Sequence, residues 1–167
     1  MIHTYQFKIT LEQQLNLFAR ALLIWTGIIC TCIFLHINLT NIGFIAGGLF
    51  LFTIDTLPTI VIHAQYWKIN HNALLIVDTE TEYVSYKSSI QNVKYSFQNI
   101  AVLHYYHSYE RNSVHFSFGS YRYCKIIFRD GVELIITCLM ITDIENTLEQ
   151  LFGIKAGRHS QLLCLVN

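Results

Sequence analysis

Residues 21–54 contain no Asp, Glu, Lys or Arg, and only His36 among them could carry charge. A membrane-spanning helix needs about 20 apolar residues. The run is too long for one span and suits two. ALLIWTGIICTCIFL (21–35), extending to about residue 38, gives the first span, and IGFIAGGLFLFTIDTLPTIVI (42–62) gives the second. HINLTNI between them reads as a short polar turn, so residues 21–63 read as an antiparallel transmembrane hairpin. A buried helical hairpin in a soluble protein is the competing reading. Two adjacent uncharged runs of span length are rare in such proteins.

The basic flanks orient the hairpin. Lys8 and Arg20 precede the first span, Lys68 follows the second, and the turn has no Lys or Arg. Basic residues stay on the cytoplasmic side. Both termini are therefore expected in the cytoplasm, with the protein integral to the cell (inner) membrane. The first run lacks a small-residue cleavage site and is followed by another span, unlike a secretory signal. The Asn38-Leu39-Thr40 sequon at the membrane edge is read as chance.

Charge returns in residues 64–167, in both signs. The chain has 11 basic and 11 acidic residues and a net charge of zero. A nucleic-acid partner needs a basic face to neutralise phosphates, so none is expected. The five cysteines include no CxxC pair, which argues against a disulfide framework or a zinc site.

Residues 1–20 form a lead to the first span. Tyr5, Phe7 and Ile9 alternate with polar residues as in a strand. Thr10 and Gln13 have the spacing of a helix capping box. The lead strand needs a sheet to pair with, and the only candidate lies after residue 68. Residues 66–155 read as an all-β domain closed by one helix. ALLIVDTE and EYVSYKS flank a turn near residues 78–81, and Asp130-Gly131 marks a hairpin. Thr142 and Glu145 have capping-box spacing, Ile144, Leu148, Leu151 and Phe152 form an apolar stripe, and Gly153 ends the helix. The tail, 156–167, has no clear period; its LLCLV patch has the sheet or the membrane surface to dock on.

YSFQNIAVL (95–103), IIFRDGVELII (126–136) and ITDIENTLEQLFG (141–153), behind two spans, resemble the bacterial pleckstrin-homology-like (PH-like) membrane proteins of the YcxB-like type. The resemblance implies an α+β membrane protein: a two-helix transmembrane hairpin, then a PH-like β-sandwich or barrel with a C-terminal helix. It implies no established chemistry. Phosphoinositide-binding relatives carry Lys and Arg around the first strand turn. Here that turn holds Asp78, Glu80 and Glu82, so no phosphoinositide is expected there.

Asp55 is the outstanding candidate residue. An acid at that depth costs about 2.5–3.5 kcal/mol on insertion scales, and such residues face a partner or a water-filled cavity. In the hairpin it lies level with Trp25 and Thr26, both donors, and shares a helix face with Gly48 and Thr59. Asp55, Thr26, Trp25 and Thr59 are thus the expected intramembrane polar contact, and Pro58 the expected kink. Arg122, Lys125 and Arg129 along one strand are candidates for lipid-headgroup contact, against the plainer reading of solvated edge-strand charges. His104, His107 and His115 invite a metal. Strand residues three apart face opposite ways, so 104 and 107 cannot share an ion, and no metal is expected. The strand tyrosines read as sheet packing rather than a binding platform. No nucleophile–base pair, carboxylate pair or phosphate loop assembles, so neither an enzyme nor a cofactor is expected. The resulting expectation is a membrane-anchored, non-catalytic interaction or scaffolding protein. Its partners would be the bilayer and a second protein or further copies of itself. An oligomeric transport-associated or channel-like component using Asp55 is the alternative.

Overall fold

The computed structural model describes residues 4–34, 36, 42–89, 91–109 and 116–166. The side chain of Arg20, the Asn38–Thr40 sequon and His115 lie outside the described residues.

The lead strand β1 (Thr4–Phe7) pairs antiparallel with β2 (Leu74–Asp78), putting Phe7 opposite Leu75. The first helix, α1 (Leu11–Phe34), opens on the expected capping box. Gln13 N–H donates to Thr10 Oγ1 at 3.3 Å, and Thr10 N–H donates to Gln13 Oε1 at 3.0 Å. α1 bends by 47° between Leu11–Ala19 and Ala21–Phe34. The second helix runs from Ile42 to Asn70 in three parts: α2 (Ile42–Leu51), a π-turn (Phe52–Thr56) and α3 (Leu57–Asn70). The break at Pro58 is therefore a widened turn. Pro58 has no N–H for the carbonyl of Ile54 and its ring crowds that oxygen. Leu57 N–H instead reaches back five residues to Phe52 O. This second helix is long and apolar enough to cross a membrane, and α1 qualifies when its bent halves count as one span. Phe18 lies on His63, with ring centroids 4.3 Å apart, and Trp25 bonds to Thr56. Advancing along α1 thus means retreating along the second helix: the two are antiparallel.

The domain is two four-stranded sheets. The first has the order β1-β2-β3-β4, with β3 at Tyr83–Lys87 and β4 at Asn92–Ser96. The second has the order β7-β6-β5-β8, with β5 at Ile100–Ser108, β6 at Arg122–Phe128, β7 at Glu133–Thr137 and β8 at Gly157–Gln161. Leu75, Val77 and Val84 of one sheet and Leu103, Ile126 and Ile136 of the other fill the core between them. The C-terminal helix α4 (Ile144–Phe152) closes this core with Ile144, Leu148 and Phe152. Gly153 follows at φ 67°, a left-handed cap that glycine adopts without strain. The expected N-terminal box of α4 does not form. Asp143 is the cap, and Glu145 is buried and bonded to Arg158 Nε at 2.5 Å.

The tail docks on protein. β8 runs parallel to β5, and Cys164 is fully buried beside Ile62 and Tyr66 of α3. A second apolar cluster therefore forms on the outer face of the β5–β6–β7 sheet. It joins α3, the tail, Leu17 of α1, and Phe118 and Tyr121 of the segment before β6.

Candidate functional site

One face of the second helix carries Asp55, Thr59, Ile62, Tyr66 and Asn70. The steps of three and four residues line them up along one stripe. All five are buried, Asp55 at 6% exposure and the others at 0%. The opposite face carries Leu57, Ile60, Val61 and Trp67, each at least 42% exposed. A polar group inside a protein has to be hydrogen-bonded, and each polar member of the stripe is.

Asn70 ends the stripe. Its Nδ2 donates to Ile135 O at 2.9 Å and Tyr86 Oη at 3.1 Å, and its Oδ1 accepts from Thr137 N–H at 2.9 Å. One side chain thereby fixes the helix end to β7. Tyr66 Oη donates to Cys164 O at 2.7 Å, and Gln65 clasps Val166 through Nε2 to O at 2.6 Å and N–H to Oε1 at 3.1 Å. His63 Nδ1 lies 3.0 Å from Tyr121 Oη. Thr59 Oγ1 donates to the backbone carbonyl of Asp55 at 2.7 Å.

Asp55 tops the stripe. Its Oδ1 accepts from Ser117 N–H at 2.5 Å and its Oδ2 from Ser117 Oγ at 2.8 Å. Ser117 opens a 3-10 turn (Ser117–Ser120) between β5 and β6. The domain therefore climbs the helix as far as residue 55. Phe116 shares an apolar groove there with Ile24, Trp25, Phe50, Leu51 and Ile54.

The expected contact around Asp55 is rearranged. The antiparallel register brings Trp25 to the expected level, but its Nε1 donates to Thr56 Oγ1 at 2.8 Å. Thr26 is exposed. Thr59 is fully buried and bonds the carbonyl of Asp55 on its own helix rather than α1. Asp55 is a helix-to-domain contact, not a helix-to-helix contact. Ser117 was not foreseen, because nothing local in HFSFGS marks a partner 62 residues away; the polar stripe from 55 to 70 was the available signal.

Arg122 and Lys125 are not edge charges, since β6 is an interior strand, and Arg129 follows its end. Arg122 Nη2 donates to Thr142 O at 2.7 Å, and Lys125 Nζ pairs with Glu133 at 3.0 Å. Tyr121 lies beside His63, and Tyr123 beside Tyr66. β6 thus runs alongside α3, leading away from Asp55. Arg122 and Lys125 are about 10 Å apart along it, at about 3.3 Å per residue, and Arg129 lies past its end in the turn before β7.

His104 and His107 do part company. His104 Nδ1 lies 2.9 Å from His159 Nε2 on the outer face, whereas His107 Nδ1 bonds to Ser108 O. Among the described residues no group of three or more His, Cys, Asp or Glu could hold a metal ion. Tyr86, Tyr105, Tyr121 and Tyr123 are buried, and burial pushes the Tyr121 and Tyr123 hydroxyls above the usual tyrosine range.

Comparison with known families matches residues 4–150 to a PH domain family. Comparisons with curated proteins and with solved structures give no significant match.

Proposed function

From the premise that the chain belongs to this PH domain family, we propose that it is a membrane-anchored interaction module, non-catalytic, with its PH-like domain fixed rigidly to its own anchor. Family membership supports the interaction role. The observation that carries the rest is the two-faced helix Ile42–Asn70. One face is exposed and apolar, and the other holds the domain through Asp55, Tyr66 and Asn70. Its most apolar 18-residue window has a mean hydropathy of 1.8, and only 17% of that window is buried within the chain. The exposed face ends in Trp67 and Lys68, the residue types favoured at the cytoplasmic membrane–water boundary. On this reading both termini are cytoplasmic, the anchor is the two-span hairpin of a bacterial inner membrane protein of the YcxB-like type, and a protein partner binds the domain.

The transport reading loses its main support, since both oxygens of Asp55 are engaged by Ser117 within one chain. The test is carbonate washing of native membranes followed by crosslinking and affinity recovery. Anchoring predicts retention in the pellet and recovery of a defined partner by wild type and Asp55→Asn alike. Release by carbonate contradicts the anchor. Ion flux in liposomes that vanishes in Asp55→Asn contradicts the interaction role.

A further inference from the structure

The exposed apolar surface of the second helix runs from Ile42 to Val61: Ile42, Ile45, Leu49, Phe50, Leu57, Ile60 and Val61 are all at least 42% exposed. At 1.5 Å per residue this belt is about 29 Å long, close to the roughly 30 Å of a bilayer's hydrocarbon core. Asp55 lies six residues inside its cytoplasmic end, about 9 Å. Ser117 is bonded to Asp55 at that level, and Phe116 lines one groove with Phe50 and Leu51. The belt and the domain therefore overlap along the helix axis.

We infer that the Phe116–Ser117–Phe118 segment is embedded in the inner leaflet, so that the domain sits flush on the membrane rather than below it. The inference rests on the anchored reading above. It also explains an acid within a span. Irregular backbone survives at hydrocarbon depth only where protein satisfies its polar groups. The Ser117 N–H and hydroxyl would have no water there, and the Asp55 carboxylate accepts from both. The acid serves the inserted backbone, the half-buried Phe116 supplies apolar surface while Phe118 packs inward, and the leaflet is the partner of this face.

The test uses the full chain in lipid vesicles with Cys30→Ser, nitroxide-labelled in turn at Phe116→Cys, Ile45→Cys and Lys87→Cys. Collision with oxygen, which concentrates in hydrocarbon, is compared with collision with a water-soluble nickel chelate. The expected result groups residue 116 with 45: oxygen-accessible and shielded from nickel, with 87 the reverse. If 45 is shielded and 116 meets nickel as 87 does, the inference fails and the anchor stands. If 45 also meets nickel, the anchor itself fails, and the inference with it. Gly119→Cys, read in the same way, replaces residue 116 if the Phe116 variant misfolds.

Discussion

Ser117 gives both its backbone N–H and its hydroxyl to the carboxylate of Asp55, at 2.5 and 2.8 Å. A loop of the domain is thereby held by a residue whose neighbours in sequence are almost all apolar. The pair is the uppermost of a series that continues through His63–Tyr121, Tyr66–Cys164 and Asn70–Thr137.

Removing the acceptor is costlier than altering it. Asp55→Leu strands the Ser117 N–H and is expected to destabilise by about 1–3 kcal/mol, whereas Asp55→Asn keeps an acceptor oxygen and costs about 1 kcal/mol or less. Unfolding of the detergent-solubilised chain measures both. Equal losses would contradict the bonding assigned to Ser117.

Asn70 is more exacting, because three bonds meet on one fully buried amide. Asn70→Leu leaves the Thr137 N–H and the Ile135 carbonyl without their partner and is expected to cost about 3 kcal/mol. Tyr86→Phe, which removes one of the three, costs about 1 kcal/mol. Unfolding midpoints compare them, and a neutral Asn70→Leu would sever the helix from β7 in this account.

Cysteine labelling reports burial and setting together. Cys32, Cys124, Cys138 and Cys164 are buried and Cys30 is exposed. Burial pushes the thiols of Cys124 and Cys138 up to about 12 and that of Cys164 up to about 11, and the thiolate is the reactive form. A membrane-impermeant maleimide is expected to label none of the five in intact membranes, Cys30 alone in mild detergent, and all five after denaturation. Mass spectrometry counts the adducts; labelling of Cys30 in membranes would contradict the anchored hairpin.

On β4, Tyr95 Oη donates to Asp130 Oδ2 at 2.5 Å. This bond, followed by that from Val132 N–H, holds the Asp130 carboxyl below the usual aspartate range. A depressed acid stabilises the fold above its unfolded value and loses that contribution as pH falls through its folded value. Tyr95→Phe is expected to raise the Asp130 titration midpoint towards 3.8, as followed by NMR. An unchanged midpoint would show that the bond does not form.

Local signals in the sequence carried much of the architecture. The Thr10–Gln13 box, the Asp130-Gly131 hairpin with Gly131 at φ 84°, the apolar stripe of α4 and the pairing of the lead strand each depend on neighbours a few residues apart or on one alternating pattern. The register of the two long helices was equally legible, since hairpin geometry fixes which residues are level. What was not legible depends on tertiary placement. Glu145 has the spacing of a cap residue, but Arg158 on β8 draws it inward. β6 reads as an edge until β5 and β7 are placed on its two sides. The partner of Asp55 is decided by where the 3-10 turn after β5 lands, which no spacing encodes. The stripe Asp55, Thr59, Tyr66, Asn70 could have been read as one polar face, and its length would have pointed to a domain rather than a single helix.

The central claim is that helix and domain move as one body. With Cys30→Ser as background, spin labels at Leu49→Cys on α2 and Lys87→Cys on β3 measure it by electron–electron distance in vesicles. A helix held from residue 55 to residue 70 predicts one narrow distance distribution, broadened when Asp55→Leu and Asn70→Leu are combined. A broad distribution in the otherwise native chain, unchanged by those substitutions, would show a domain swinging on a tether and would contradict the account.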